Sequence, residues 1–194
     1  MGRIICLMGK SSTGKDTIFQ SLLEDDSLGL RRIVPYTTRP VRDGERNGRE
    51  YFFTDEAGFQ RLLELGKVVE DRAYHTFHGL WRYFTVDDGQ IEPGQDYILI
   101  GTLEAYRHLQ DYFGKDRLLP VMVELDDGLR LQRALDREKG QEFPKYEEMC
   151  RRFLADSEDF MDEKIRQAGI TRKFQNNDLE KCLQEIREYI AETR

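Results

Sequence analysis

Seven residues near the start of the chain, Gly9-Lys10-Ser11-Ser12-Thr13-Gly14-Lys15, have types and spacing suited to gripping phosphate. The pattern G-x-x-x-x-G-K follows an apolar run, Arg3–Met8, and precedes a helical period marked by Ile18, Leu22 and Leu23. In that strand–loop–helix context the glycines let backbone N–H groups curl around an anion, and the helix start adds positive potential. Lys15 would then reach the outer phosphates, so the loop implies a nucleoside triphosphate ligand cradled by Gly9, Ser11, Ser12, Thr13, Gly14 and Lys15. The next position usually carries Ser or Thr to help hold Mg2+; here Asp16 stands there, followed by Thr17. We take Asp16 and Thr17 as candidate metal-side groups. A first-turn acid that simply favours the helix start is the plainer alternative for Asp16.

A second group of chemically capable residues lies in Tyr36-Thr37-Thr38-Arg39-Pro40-Val41-Arg42, continuing through Gly44-Glu45 to Asn47-Gly48 and Tyr51. Pro40 excludes a helix and imposes an extended turn. On it, Arg39 and Arg42 lie three apart, and paired guanidinium forks suit a phosphate monoester. Tyr51 adds a hydroxyl. A third group, Arg133, Arg137, Arg151 and Arg152, projects from two helical periods around Lys139–Pro144. Such arginines either stabilise a transferred phosphoryl group or pair with nearby acids such as Asp136, Glu138, Glu147 and Glu148.

The elements that must position these groups follow from periodicity. Strands are predicted at 3–8, 32–36, 50–53, 68–74, 97–100 and 119–125, and helices at 16–24, 55–65, 103–112, 128–138, 145–163 and 179–193. The first, fifth and sixth strands are almost wholly apolar and lie between helices, the pattern of a parallel sheet buried on both faces in an α/β fold. Residues 32 to about 85 are more polar, with turns at Asp43-Gly44 and Asn47-Gly48, and read as a mixed insert. The 194 residues suffice for one sizeable core. A formal charge of −7 argues against general nucleic-acid or anionic-membrane binding. Cys6, Cys150 and Cys182 have no disulfide or zinc spacing. The run Ile4–Met8 is too short for a secretory leader, and no stretch reaches membrane-spanning length, so a cytoplasmic location is expected.

Taken together, the loop, Thr37-Thr38-Arg39-x-x-Arg42-x-Gly44-Glu45 and Asn47-Gly48-x-x-Tyr51 resemble, in order and distance, the guanylate kinase family, and the resemblance runs over nearly the whole chain. It implies a single P-loop kinase domain in three parts. These are a core (1–31, 95–126, 164–194), a monophosphate-binding lobe (32–94) and a helical lid (127–163). It implies ATP and Mg2+ as cofactors, GMP or dGMP as acceptor, and small-molecule nucleotides as the partners of a monomer or homodimer. It assigns the acceptor phosphate to Arg39, Arg42 and Tyr51, and the guanine edge to Glu70, a carboxylate that accepts from N1–H and N2–H2. It also assigns lid roles to Arg133, Arg137 and Arg152, and an adenine-side role to the Asn176-Asn177-Asp178-Leu179 turn, with Asn177 as the candidate ligand. Asp178 there is read as a helix cap.

Four departures from the family pattern stand out. Pro35 and Tyr36 stand near the place of a serine. The Tyr-Tyr-Gly-Thr segment of the acceptor pocket matches either His78-Gly79 or Tyr83-Phe84-Thr85, and Tyr83 and Thr85 are carried as acceptor-site candidates. Ile100 and Thr102 replace two strand carboxylates, and Asp16 follows the P-loop lysine. One carboxylate lost and one gained near the metal suggests that Asp16 takes over a metal-directed role. His75, His78 and Trp81 fall where the acceptor base is expected. Two rival readings stay open at this point: a kinase for a different nucleotide or phosphorylated small molecule, and a catalytically weak binding module of the same fold.

Overall fold

The computed structural model describes residues 2–42, 44–76 and 79–193; Asp43 and His78, which the sequence reading invokes, lie outside the described residues. The central element is β1 (Ile4–Met8), every residue of which is buried. Its side chains alternate between two faces. Ile5 and Leu7 pack with Ile18 and Leu22 of α1 (Lys15–Leu23) and with Leu183 and Ile186 of the C-terminal helix. Ile4, Cys6 and Met8 pack the opposite way, among Leu103, Tyr106 and Leu109. A strand covered on both faces has no polar position to spare, which is why it reads as an unbroken apolar run.

Four more strands flank it: β2 (Arg31–Arg32), β7 (Tyr97–Ile100), β8 (Leu118–Glu124) and β9 (Lys173–Gln175), in the order β2-β7-β1-β8-β9, all parallel. Between β7 and β8 runs α3 (Leu103–Phe113); after β8 come α4 (Asp127–Lys139), α5 (Tyr146–Asp159), α6 (Asp162–Gln167) and, beyond β9, α7 (Leu179–Glu192). This is the expected α/β class with a parallel sheet between helices. A second, mixed sheet lies between β2 and β7 in the chain. It has the order β4-β3-β6-β5, from β3 (Tyr36–Thr37), β4 (Phe52–Phe53), β5 (Val68–Thr76) and β6 (Gly79–Val86). The helix α2 (Glu56–Glu64) lays Phe59 on Phe84, and Leu62 joins the same small cluster.

Three sequence expectations need correction. The single strand predicted at 32–36 is two strands in different sheets. The Ile33 N–H still follows β7, donating to the Ile98 carbonyl at 3.0 Å, but Val34 turns to the Gln90 side chain at 2.8 Å and Pro35 has no N–H to donate. The chain therefore leaves the core sheet there and enters the mixed one. The helix predicted over 145–163 ends at Asp159, because Met161 is extended (φ −61°, ψ 142°), and α6 starts afresh. The sequence pattern marks neither β6 nor β9: the residues of β6 read as an acceptor-pocket segment, and three residues carry too little periodicity to mark β9. No helix among the described residues is long and apolar enough to cross a membrane.

Candidate active site

At the carboxyl end of β1 the chain makes a tight cradle. Gly9 has φ 152°, and a Cβ there would lie 2.4 Å from the Val123 carbonyl oxygen; Gly14 has φ 87°, and a Cβ there would lie 2.4 Å from Asn176 Nδ2. Both glycines are thus required by close approach as well as by dihedral. Between them the Thr13 hydroxyl donates to the Lys10 carbonyl at 2.9 Å and Asn176 Nδ2 donates to the Thr13 carbonyl at 2.7 Å. Asp55, Thr102, Asp126 and Asp178 cap α2, α3, α4 and α7 with their side chains, but Gly14 offers none to the first turn of α1. Those N–H groups are available to an anion. Lys15 Nζ sits 3.5 Å from the Lys10 carbonyl, and burial pulls its pKa below the ordinary lysine value against the pull of Asp16 and Asp156. A desolvated ammonium next to free amide donors is a phosphate site by its chemistry. Asp16 and Thr17 are exposed on the first turn of α1, an oxygen-donor pair of the kind Mg2+ accepts alongside phosphate oxygens. Among the described residues no three His, Cys, Asp or Glu side chains gather in a way that could hold a metal ion.

The mixed sheet gathers a second set of groups. The Arg39 side chain is 2% exposed; its Nη1 donates to Glu45 Oε2 at 2.7 Å and its Nη2 to Oε1 at 2.5 Å, and the guanidinium lies 5.0 Å from the Tyr51 ring and 5.5 Å from the Phe53 ring. Burial works against that charge, but the Glu45 hydrogen bonds hold the Arg39 pKa above its ordinary value. Arg39 Nε is buried with no partner, an orphan donor beside the pair. Arg42 is exposed, with its backbone N–H on Glu45 at 2.9 Å. Tyr51 packs edge-on against Tyr83 at 5.7 Å, and burial raises its pKa. Beyond them Glu70, its side chain 1% exposed, accepts from the Thr85 hydroxyl at 2.7 Å and from Arg72 Nε at 3.0 Å. Glu70 faces Thr85 across the β5–β6 ladder, while Tyr83 faces Arg72. Arg39, Tyr51, Tyr83, Glu70 and Thr85, all read from the sequence, therefore share one face; His78 of the alternative match lies outside the described residues. Arg72 was not anticipated. Its i, i+2 relation to Glu70 on a strand was the available signal, since it puts both on one face.

Other expected groups fall elsewhere. His75 lies five residues beyond Glu70, roughly 17 Å along an extended strand, and is exposed. Thr102 Oγ1 accepts from the Ala105 N–H at 3.2 Å and so serves as the cap of α3. Arg133 approaches the loop: a Cβ on Gly14 would come within 3.7 Å of its Nη1, and the Arg137 charge is felt at Lys15. Arg152 instead turns to Glu148 at 2.8 Å, together with Arg151 at 2.7 Å, and this double pairing holds Glu148 down at about 2. The α7 turn behaves in part as read. Asp178 caps α7, accepting from the Lys181 N–H at 3.0 Å, and Asn177 is exposed. The buried contact to the loop belongs to its neighbour Asn176, which the sequence reading placed in the turn without a role.

Comparison with known proteins identifies the family. The family model described as guanylate kinase matches residues 1–79, which hold the loop, the Arg39–Tyr51 segment and Glu70. A guanylate kinase of Aromatoleum aromaticum is 34% identical over 66% of this chain, and that match spans 64% of the relative's own length, just under two thirds. One of Symbiobacterium thermophilum is 30% identical over 97% of this chain and 84% of the relative. The crystal structure of guanylate kinase from Anaplasma phagocytophilum superposes with a TM-score of 0.67 at 18% identity, covering 98% of this chain and 85% of that one, a likeness of fold. With a relative 30% identical over 97% of this chain and 84% of its own length, the chain belongs to the guanylate kinase family.

Proposed function

We propose that this protein transfers the γ-phosphoryl group of ATP to GMP or dGMP, giving ADP and the nucleoside diphosphate. The observation that carries this reading is the single face shared by Arg39, Tyr51, Tyr83, Glu70 and Thr85, set in the same chain as an uncapped, lysine-bearing glycine loop. The relatives are guanylate kinases by name, which gives no support to the rival readings of another acceptor or a weak binding module.

In this mechanism Gly9, Ser11, Ser12, Thr13, Gly14 and Lys15 hold the ATP phosphates, and Asn177 lies on the adenine side. Arg39, Arg42 and Tyr51 hold the acceptor phosphate, Glu70 reads guanine N1–H and N2–H2, and Tyr83 and Thr85 complete the wall. Glu70 is already fixed by Thr85 and Arg72, so its remaining lone pairs are aimed before the base arrives. An acceptor phosphate oxygen attacks the γ-phosphorus, and the bond to the β–γ bridging oxygen breaks. The acceptor is anionic, so no general base is needed. Lys15, Arg39, Arg133, Arg137 and Arg152 offset the charge spread over the transferred group. Mg2+, held through Asp16 and Thr17, would add charge neutralisation at the β- and γ-phosphates. We assign residues 1–31, 95–126 and 164–194 to the core, 32–94 to the acceptor lobe and 127–163 to the lid. Closure of lobe and lid would exclude water and limit ATP hydrolysis. The reading places the protein in the cytoplasm as a monomer or homodimer, with no nucleic-acid partner.

The test is product analysis by phosphorus NMR. ATP, Mg2+ and GMP should give ADP and GDP in equal amounts. Glu70→Gln should raise the GMP KM with little change in that of ATP. ADP without GDP would contradict the reading.

A further inference from the structure

Among the described residues Arg130 is the largest fully buried side chain, 0% exposed, and the proposed reaction does not use it. It stands in the first half of α4 and ties three elements together. Its Nε donates to the Ser11 carbonyl at 3.0 Å, its Nη1 to Asp127, and its Nη2 to Asp156 Oδ2 of α5 at 3.3 Å; the guanidinium lies 4.7 Å over the Phe153 ring. The same Asp156 Oδ2 accepts the Ser11 backbone N–H at 2.6 Å. One residue of the glycine loop, Ser11, is therefore gripped through both of its flanking peptides, its C=O by an arginine and its N–H by a carboxylate.

The carboxylate sits among cations. Its charge is felt at Lys15, as are those of Arg130 and Arg137, and the orphan Ser12 hydroxyl lies in the adjoining residue. A loop amide, a buried arginine fork and a nearby lysine are groups that also suit a phosphate oxygen. A phosphate oxygen and Asp156 cannot both take the Ser11 N–H in this geometry, and two anions at the loop repel each other in a partly desolvated setting.

We propose that Asp156 is an intramolecular competitor for the phosphate chain of the nucleotide: it holds the Ser11 N–H and the Arg130 fork, and a bound triphosphate takes them over. Arrival of the nucleotide then unties α5 from the loop, which couples phosphate binding to movement of the helix that carries Arg151 and Arg152. Arg130 is a positioning residue in this scheme, since it acts through Ser11 and Asp156. The inference rests on the reading of the loop as the triphosphate site.

The experiment is calorimetric titration of the full chain and its Asp156→Asn variant with ATP and, separately, with inorganic tripolyphosphate, beside thermal melts of each. Asparagine keeps the size of the side chain and removes its charge. The expected result is a Kd about five-fold or more lower for both probes in Asp156→Asn, because the gain lies at the phosphates and not at the base. Glu158→Gln, which removes the same charge from an exposed site on α5, should stay within about two-fold of the parent. Asp156→Ala serves as the second variant, and should also tighten both probes. Unchanged or weaker binding in folded Asp156→Asn and Asp156→Ala would overturn the proposal and leave Asp156 a structural tie. No ATP binding by the parent chain would instead overturn the triphosphate reading on which it rests.

Discussion

Lys15 is the residue whose surroundings say most about its use. A half-buried lysine beside the Lys10 carbonyl and uncapped amides, with no ion pair of its own among the described residues, has its pKa below the ordinary value through desolvation. Its charge is needed for phosphate, so the alkaline limb of the pH profile should fall below the ordinary lysine range. Lys15→Arg, charged at every accessible pH, should move that limb upward in a profile of kcat/KM for ATP. Lys15→Ala should lower kcat about 100-fold or more, the scale of removing one electrostatic donor from a transition state. Asn176 is the second informative residue. Its Nδ2 on the Thr13 carbonyl and its backbone N–H on the Glu124 carbonyl at 2.8 Å pin the glycine loop to the end of the sheet. Asn176→Ala leaves a buried carbonyl unpaired and should cost about 1–3 kcal/mol in denaturant unfolding, together with a rise in the ATP KM. Nothing in the sequence set Asn176 apart from Asn177, because which of two adjacent amides turns inward depends on the register of β9 against β8.

At the scale of elements, the long periodic segments were legible and the short ones were not. The strand β1 and the helices α1, α3 and α7 have apolar positions at clean spacing, and their ends fall within a residue of expectation. The break between β2 and β3 is not visible in the sequence because Arg31–Arg32 and Tyr36–Thr37 pair with strands of different sheets, and partner choice is a tertiary property. Most of the candidate site was likewise readable as residue types, whereas the Glu70–Arg72–Thr85 set needed the β5–β6 register, which the unpredicted β6 supplies. The loop between β3 and β4 gives an element-scale test. Glu45 lies below the usual carboxylate range, chiefly through the Arg39 hydrogen bonds. A carboxylate with a depressed folded pKa stabilises the fold above its unfolded pKa and loses that contribution as pH falls through the folded value. Arg39 stays charged throughout. The stability difference between the parent and Glu45→Gln should therefore be full at neutral pH and shrink as pH drops below the 4.5 of an unperturbed glutamate, read by chemical unfolding across pH.

For the whole molecule, the parallel sheet presents the glycine loop at the carboxyl end of β1, and the mixed sheet offers a second, arginine- and carboxylate-lined face. By the family resemblance Ile100, at the end of β7, and Thr102, at the cap of α3, stand where two carboxylates are expected, and Asp16 stands at the start of α1. If Asp16 carries the metal-directed role, Asp16→Ser should raise the Mg2+ concentration needed for half-maximal turnover; an unchanged requirement would return Asp16 to a first-turn acid. The central claim concerns donor and acceptor together, and a coupled ADP-release assay addresses it directly. ATP and Mg2+ are offered with GMP, dGMP, AMP, CMP, UMP or dTMP, with Lys15→Ala as the control. The account predicts rapid, Lys15-dependent ADP release with GMP and dGMP and little with the others. Turnover confined to another monophosphate, or none with any acceptor while ATP still binds, would contradict it.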